Sequence, residues 1–291
     1  MTTAGRARGA ARHYLLAPEV PPAADTVVVL ESEIGQPPDY WHWLVAELAA
    51  RRIPCLVRVR PGYVWTPLRQ AVPLAAADLE HMAENSPTIV VVAHSFAALL
   101  ALRDPDSQLV AGRSPDALLL LDAVTPQMVS EVRMNKFALG RLRRSFEITT
   151  FSTALGLGPL SELLDGPYRF YPKAVQRRCR RFRYSPRNAR QAQREFNRVI
   201  RDDEAATPVD LPDLTLVVHA ESGLPDPEGY AAYQHTLAGE LALPESAVVK
   251  VGQVRQKGML TSPAAMNSVA AVIQNVRHDN GLGSTVSGGE G

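Results

Sequence analysis

Short apolar segments alternate with helical patterns along most of this chain, and no other feature constrains its fold as tightly. TVVVLE (26–31), CLVRV after Pro54, TIVVVA (88–93), DALLLLD (116–122), LTLVVHA (214–220) and AVVKVG (247–252) each read as a strand. Between them lie helical patterns. YWHWLVAELAARR has Trp43, Leu44 and Leu48 on one face, and LRQAVPLAAADLEHMAEN is a helix interrupted near Pro73. A further helix runs from Ser95 to about Arg103, and YAAYQHTLAGEL and SPAAMNSVAAVIQNV follow the later strands. Strands this uniformly apolar need cover on both faces. The pattern therefore predicts an α/β class fold with a doubly wound, mainly parallel sheet.

The alternation lapses between residues 126 and 207, where helical patterns and a dense arginine stretch replace it. The expected division is an N-terminal arm over 1–24, a core over 25–125 and 208–277, a helical, arginine-rich cap over 126–207, and a disordered tail over 278–291. Charge follows the same division. Residues 126–201 carry 17 Lys or Arg and 5 Asp or Glu, a net of +12. The remaining residues carry 14 and 25, a net of −11, so the overall +1 conceals an acidic body with a basic insert.

No apolar run reaches the ~20 residues that a bilayer requires, and MTTAGRARGAAR lacks the apolar core of a secretory leader. A cytoplasmic setting without membrane contact is the expectation. The two cysteines, Cys55 in a strand and Cys179 among arginines, form neither a disulfide framework nor a metal site, and no cofactor is implied. The basic insert lacks the aromatic interleaving of a stacking platform, which argues against nucleic acid as a partner. Arg177, Arg178 and Arg181 are its candidate anion-binding residues.

The strand TIVVVA runs directly into a helix at Ala93-His94-Ser95-Phe96-Ala97. A parallel strand that turns sharply into a helix there places Ser95 at the carboxyl edge of the sheet, where ligands bind. The same turn aims the first helix amides, Phe96 among them, toward the serine hydroxyl. The flanking residues must be small, and Ala93 and Ala97 meet that need. His94 reads as a packing side chain that faces away from the pocket.

This arrangement, with WHWLVAELAARRIPCLVRVRPGY upstream and an insert after Asp122, resembles the α/β-hydrolase superfamily over roughly residues 25–125 and 210–277. The elbow is a relaxed form of that family's Gly-x-Ser-x-Gly. The resemblance implies Ser95 as nucleophile, an oxyanion-hole amide near Ser32 or Glu33, and a lid or cap at the insert. It implies an acid at Asp122 or, after the penultimate strand, near Glu221, Gly223 or Asp226.

The family's base histidine, however, has no counterpart here. VGQVRQKGMLTSP fills its place, with Lys257, Gly258 and Met259 at the position itself. His219, near the end of the penultimate strand, is the candidate replacement beside Asp122, and Lys257 is a second. A serine hydroxyl without a base is a poor nucleophile. Three readings stay open. One is a divergent enzyme acting on an acyl, carbonyl or polyketide-like substrate by cyclisation, lyase, acyl-transfer or hydrolytic chemistry. The second is a non-catalytic ligand- or partner-binding relative. The third is a conventional esterase or thioesterase with a displaced base. An acyl-carrier protein or coenzyme A thioester at the basic cap, and a homodimer, are the further partners considered.

Overall fold

The computed structural model describes residues 11–16, 25–66, 71–103, 109–134, 136–155, 167–201, 211–222, 227–254 and 258–282. Eight strands form one sheet: β1 (Arg12–Leu16), β2 (Thr26–Glu31), β3 (Cys55–Val59), β4 (Val72–Pro73), β5 (Thr88–His94), β6 (Ala117–Leu121), β7 (Leu214–Ser222) and β8 (Val248–Val254). Their order is β4-β1-β3-β2-β5-β6-β7-β8. Pairing from β3 through β8 is parallel, and β1 is antiparallel to both β3 and β4. The expected doubly wound, mainly parallel architecture is therefore present.

The helices are α1 (His42–Ala50), α2 (Ala76–Asn85), α3 (Phe96–Arg103), α4 (Pro126–Met134), α5 (Lys136–Ala154), α6 (Lys173–Arg183), α7 (Pro186–Arg201), α8 (Pro227–Glu240) and α9 (Pro263–Leu282). Among the described residues, no helix is long and apolar enough to cross a membrane.

Side chains alternate across the sheet and build two cores. Val28, Leu30, Val90, Val92, Leu119, Leu121 and Val218 pack with Leu44 and Leu48 of α1 and with Met266, Val269 and Ile273 of α9. Val27, Val29, Val91, Leu118, Leu120 and Val217 pack on the opposite face with α2, α3 and α8. The uninterrupted apolar strands follow from this double cover.

In the cap, α6 buries Val175, Cys179 and Phe182, and α7 buries Ala189, Ala192, Phe196, Val199 and Ile200. Those spacings give each helix one apolar face, and the arginines take the remaining positions. Both cysteines are buried, and they lie in separate elements, Cys55 in β3 and Cys179 in α6.

Three boundaries differ from the expected ones. Residues 12–16 are not part of a loose arm. They form β1, because Tyr14 and Leu16 turn inward and Tyr14 meets Trp65 edge-on at 4.9 Å. Two inward residues in a five-residue strand give too short an alternation to stand out in sequence. Pro73 does not interrupt a helix but belongs to the edge strand β4, where the lack of an N–H is tolerated. The closing helix continues past residue 277 to Leu282.

Sheet order also positions the site. From β2 the chain moves outward to β3 and then returns to β5 on the other side of β2. Such a reversal opens a crevice at the carboxyl ends of the two inner strands. Glu31 of β2 lies opposite Ala93 of β5, so the residues two positions further on, Glu33 and Ser95, emerge side by side.

Leu119 is fully buried at the centre of β6. Leu119→Ala is expected to lower stability by about 2–5 kcal/mol, read as a shift in the urea unfolding midpoint at unchanged slope.

Candidate active site

β5 ends at His94 and α3 begins at Phe96, so Ser95 alone makes the bend. Its φ is 56°, in the left-handed region that costs an ordinary L-residue about 1–2 kcal/mol. Three backbone hydrogen bonds hold it there. Its amide donates to Leu121 O at 2.9 Å, and its carbonyl accepts from Ala98 N at 3.0 Å and Val124 N at 3.3 Å. Ala93 and Ala97 are buried on either side, in keeping with the need for small flanking residues. Ser95 itself is only half-buried. The Phe96 amide opens α3 and has no acceptor within the helix.

Opposite Ser95 stands the carboxylate of Glu33, in hydrogen-bonding reach of the Ser95 hydroxyl. Burial pushes Glu33 up to about 7, although Arg183, the Ser95 hydroxyl and Arg60 all favour its charged form. Its side chain keeps 27% exposure, enough to meet a ligand.

The loop that carries Glu33 is tied down at several points. Arg60 donates to the carbonyls of Ser32 and Glu33 and forks onto Glu195 of α7 at 3.2 and 3.1 Å. Trp41 Nε1 donates to Ser32 Oγ at 3.0 Å. Tyr63 accepts from the Gly35 amide at 3.0 Å and donates to Glu195 at 2.8 Å. Gly35 has a φ of 73°, and a Cβ there would lie 3.0 Å from Ala192 of α7, so the cap closes directly over this loop.

Four further groups surround the pair. His94 does not face away: its Nδ1 is 3.9 Å from Glu33 Oε2, and burial pulls it down to about 4, leaving it neutral at physiological pH. Arg183, the last residue of α6, places its charge near Glu33. The Tyr40 hydroxyl would be 3.5 Å from a Cβ on Gly258. Tyr230 of α8 lies close enough to Asp122 and Glu33 that their charges add to its burial in holding the phenol protonated.

Asp122 has a φ of 42°, so the end of β6 is bent like the end of β5. Its carboxylate accepts from the Ala220 amide at 3.3 Å and from the Met259 amide. Burial nonetheless pushes it up to about 6. Met259 is fully buried, and the Tyr171 hydroxyl bonds to the Tyr40 and Leu260 carbonyls (2.9 and 2.8 Å), bracing that turn. A backbone N–H thus occupies the place on Asp122 where a histidine ring was expected. Lys257, Gly223 and Asp226 lie outside the described residues, as does the side chain of Glu221.

His219 is not on this side of the sheet. It shares the face of Val217, opposite Val218 and Ala220, and its ring is 6.0 Å from that of His235 on α8. Strand parity decides this, since an odd step from Val218 turns the side chain beneath the sheet.

The three arginines proposed for anions are also separated. Arg178 pairs with the buried Asp39 at 2.6 Å, whereas Arg177 and Arg181 are exposed on α6. Arg178 and Asp39 border a cavity of about 390 Å³ between α1 and the start of α6, which none of the groups around Ser95 lines. Sequence reasoning assigned Glu33 an amide role only, counted Arg183 merely as one member of the basic stretch, and passed over Tyr40 and Tyr230. The one available signal was an acidic residue in the loop after the first core strand.

Residues 34–258 match the alpha/beta hydrolase family, over a span that begins just after Glu33 and includes Ser95. No curated protein matches the sequence. Among solved structures, a carboxylesterase of the thaumarchaeon Nitrososphaera gargenis superimposes with a TM-score of 0.54 at 11% identity, over 93% of this chain and 96% of its own. An epoxide hydrolase from Vigna radiata gives 0.54 at 13% identity over 87% and 91%. MenH from S. aureus gives 0.52 at 10% identity over 92% and 99%. At these identities the likeness is one of fold.

Two measurements test this geometry. Ser95→Gly should be more stable than Ser95→Ala by about 1 kcal/mol in urea unfolding, because glycine alone adopts this φ without strain. Glu33 protonates more readily when folded (about 7) than when unfolded (4.5). Its contribution is therefore fully present below pH 4.5 and lost as pH rises through 7. Glu33→Gln should gain stability relative to the parent over that window and level off above it, read from unfolding midpoints across the pH range.

Proposed function

The chain belongs to the alpha/beta hydrolase family, and from that premise we propose that it is an enzyme of small acyl or carbonyl substrates in which Ser95 is the reacting hydroxyl and Glu33 its general base. The observation that carries this reading is the contact between the two. A hydroxyl raised on a strained bend meets a carboxyl that titrates near 7. A base is most effective when its pKa lies near the working pH.

The expected cycle needs no histidine. The Glu33 carboxylate takes the Ser95 proton as Oγ bonds to the substrate carbonyl carbon. The oxyanion that forms faces the Phe96 and Glu33 amides. On collapse, the bond to the leaving group breaks and Glu33 returns the proton to it. Water then attacks the acyl-serine with Glu33 again as base, releasing the acid and restoring the hydroxyl. Neutral His94 backs Glu33 as a positioning residue, and Tyr230 offers a protonated hydroxyl on the far side. Asp122 acts through the backbone, holding the Met259 turn. The exposed Arg177 and Arg181 remain the face on which a phosphate-bearing carrier would dock.

A second reading draws on the exposure of Glu33. The carboxylate could take a proton from the carbon next to a substrate carbonyl, with the Ser95 hydroxyl donating to that carbonyl and no covalent intermediate. Cyclisation or elimination would follow from such a step.

A fluorophosphonate serine probe separates the readings. Labelling that disappears in Ser95→Ala supports the acyl-serine path. Turnover of an ester retained in full by Ser95→Ala would rule it out. Glu33→Gln should lower kcat/KM for 4-nitrophenyl butyrate about 10²- to 10⁴-fold. The parent should show kcat/KM rising with pH through about 7, as Glu33 loses its proton, and the variant should lose that limb.

A further inference from the structure

We propose that Arg183, with Tyr168 and Gln36, forms a recognition site for a carboxylate carried by the substrate, so that the enzyme acts on monoesters or thioesters of small dicarboxylic acids. This rests on the Ser95–Glu33 reading for its place in the reaction, and it names the substrate class of that same site.

Arg183 closes α6 on the cap side of the crevice. Its Nη1 is 3.5 Å from the Tyr168 hydroxyl, and its guanidinium carbon is 6.0 Å from the centre of that ring. Tyr168 is fully buried and donates its own proton to Gln36 Oε1 at 2.8 Å, so its oxygen turns a lone pair toward Arg183. Gln36 belongs to the same loop as Glu33, and its amide donates to the Glu33 carbonyl at 3.1 Å. The contacts Gln36–Tyr168–Arg183 therefore fix a guanidinium beside the reacting pair.

The arginines packed around this region have found carboxylates: Arg58 pairs with Glu31 at 2.8 Å, Arg60 with Glu195 at 3.1 Å and Arg178 with Asp39 at 2.6 Å. Among the described residues, Arg183 has no such partner. Tyr168 offers it only a neutral oxygen and a ring face. Glu33 is near enough to feel the charge but is not in ion-pair contact, and with a carboxyl that titrates near 7 it is no permanent counter-ion. A half-buried guanidinium without a carboxylate partner keeps N–H donors that solvent or an anionic ligand can take. Its planar fork matches a carboxylate with two parallel N–H···O bonds. A carboxylate held there would leave the other end of a short chain at Ser95.

The test compares two chromogenic esters of equal chain length, mono-4-nitrophenyl glutarate and 4-nitrophenyl pentanoate, together with calorimetric binding of glutarate. The parent should prefer the charged ester by roughly 10- to 100-fold in kcat/KM, the range for a hydrogen-bonded charge. In Arg183→Met that ratio should fall to about 1, and in Arg183→Lys, which keeps the charge but not the fork, it should be intermediate. Arg187→Met, an exposed arginine on α7, should keep the parent ratio. Glutarate should bind the parent and Ser95→Ala alike and bind Arg183→Met at least ~10-fold more weakly, with native unfolding midpoints confirming that each variant is folded. If neither ester is turned over but glutarate binding still depends on Arg183, the serine chemistry fails and the carboxylate site stands. A preference for the neutral ester, no glutarate binding by the parent, or binding that Arg183→Met leaves intact would overturn the proposal.

Discussion

The left-handed turn at Ser95 is the constraint on which the site depends. A serine at a φ of 56° is unfavourable in isolation, and the sheet forces it. β5 and β6 run in parallel register up to His94 and Leu121, and the Ser95 amide then bonds to the last carbonyl of β6. The Ser95 carbonyl is in turn taken by Ala98 and Val124. Relaxing φ would break these bonds and unseat the start of α3. The strain is maintained because the surrounding core, fully buried on both faces, over-determines it.

The cap contributes to the site more directly than its overall charge suggests. Glu195, one of the few acids in a strongly basic insert, accepts the Arg60 fork and the Tyr63 hydroxyl, and both of those groups hold the Glu33 loop. Buried ion pairs of this kind contribute little net stability because desolvation offsets most of their attraction. What they do provide is direction. Removing either partner would strand a charge, so the loop has few alternative arrangements. Arg178 and Asp39 bind cap to body in the same way further along α6.

The two sides of the Ser95 bend are lined by different groups. On the Asp122 side, the Met259 amide and a buried thioether fill the space, with the Tyr40 hydroxyl near Gly258. On the opposite side, a carboxyl occupies the loop that was expected to supply only an amide. Glu33 has His94 behind it, Arg183 beside it and a hydroxyl in front. These neighbours come from β5, α6 and the elbow, and no single stretch of sequence brings them together.

Strand identity, the parallel sheet, the cap's position and the strand-to-helix serine follow from local composition. Runs such as TVVVLE and TIVVVA have few other ways to bury themselves, and a turn between strand and helix needs small neighbours whatever the rest of the chain does. The sequence also shows that a histidine is missing after the last strand. It does not show which side chains the fold gathers around Ser95. Strand parity turned His219 beneath the sheet, and the short alternation of β1 was too brief to read. The side chain of Glu33 could be assigned a role only once the β3-β2-β5 order had placed its loop beside Ser95. Burial, which raises that carboxyl toward neutrality, is a property of the surrounding three-dimensional packing and has no local signature in the chain.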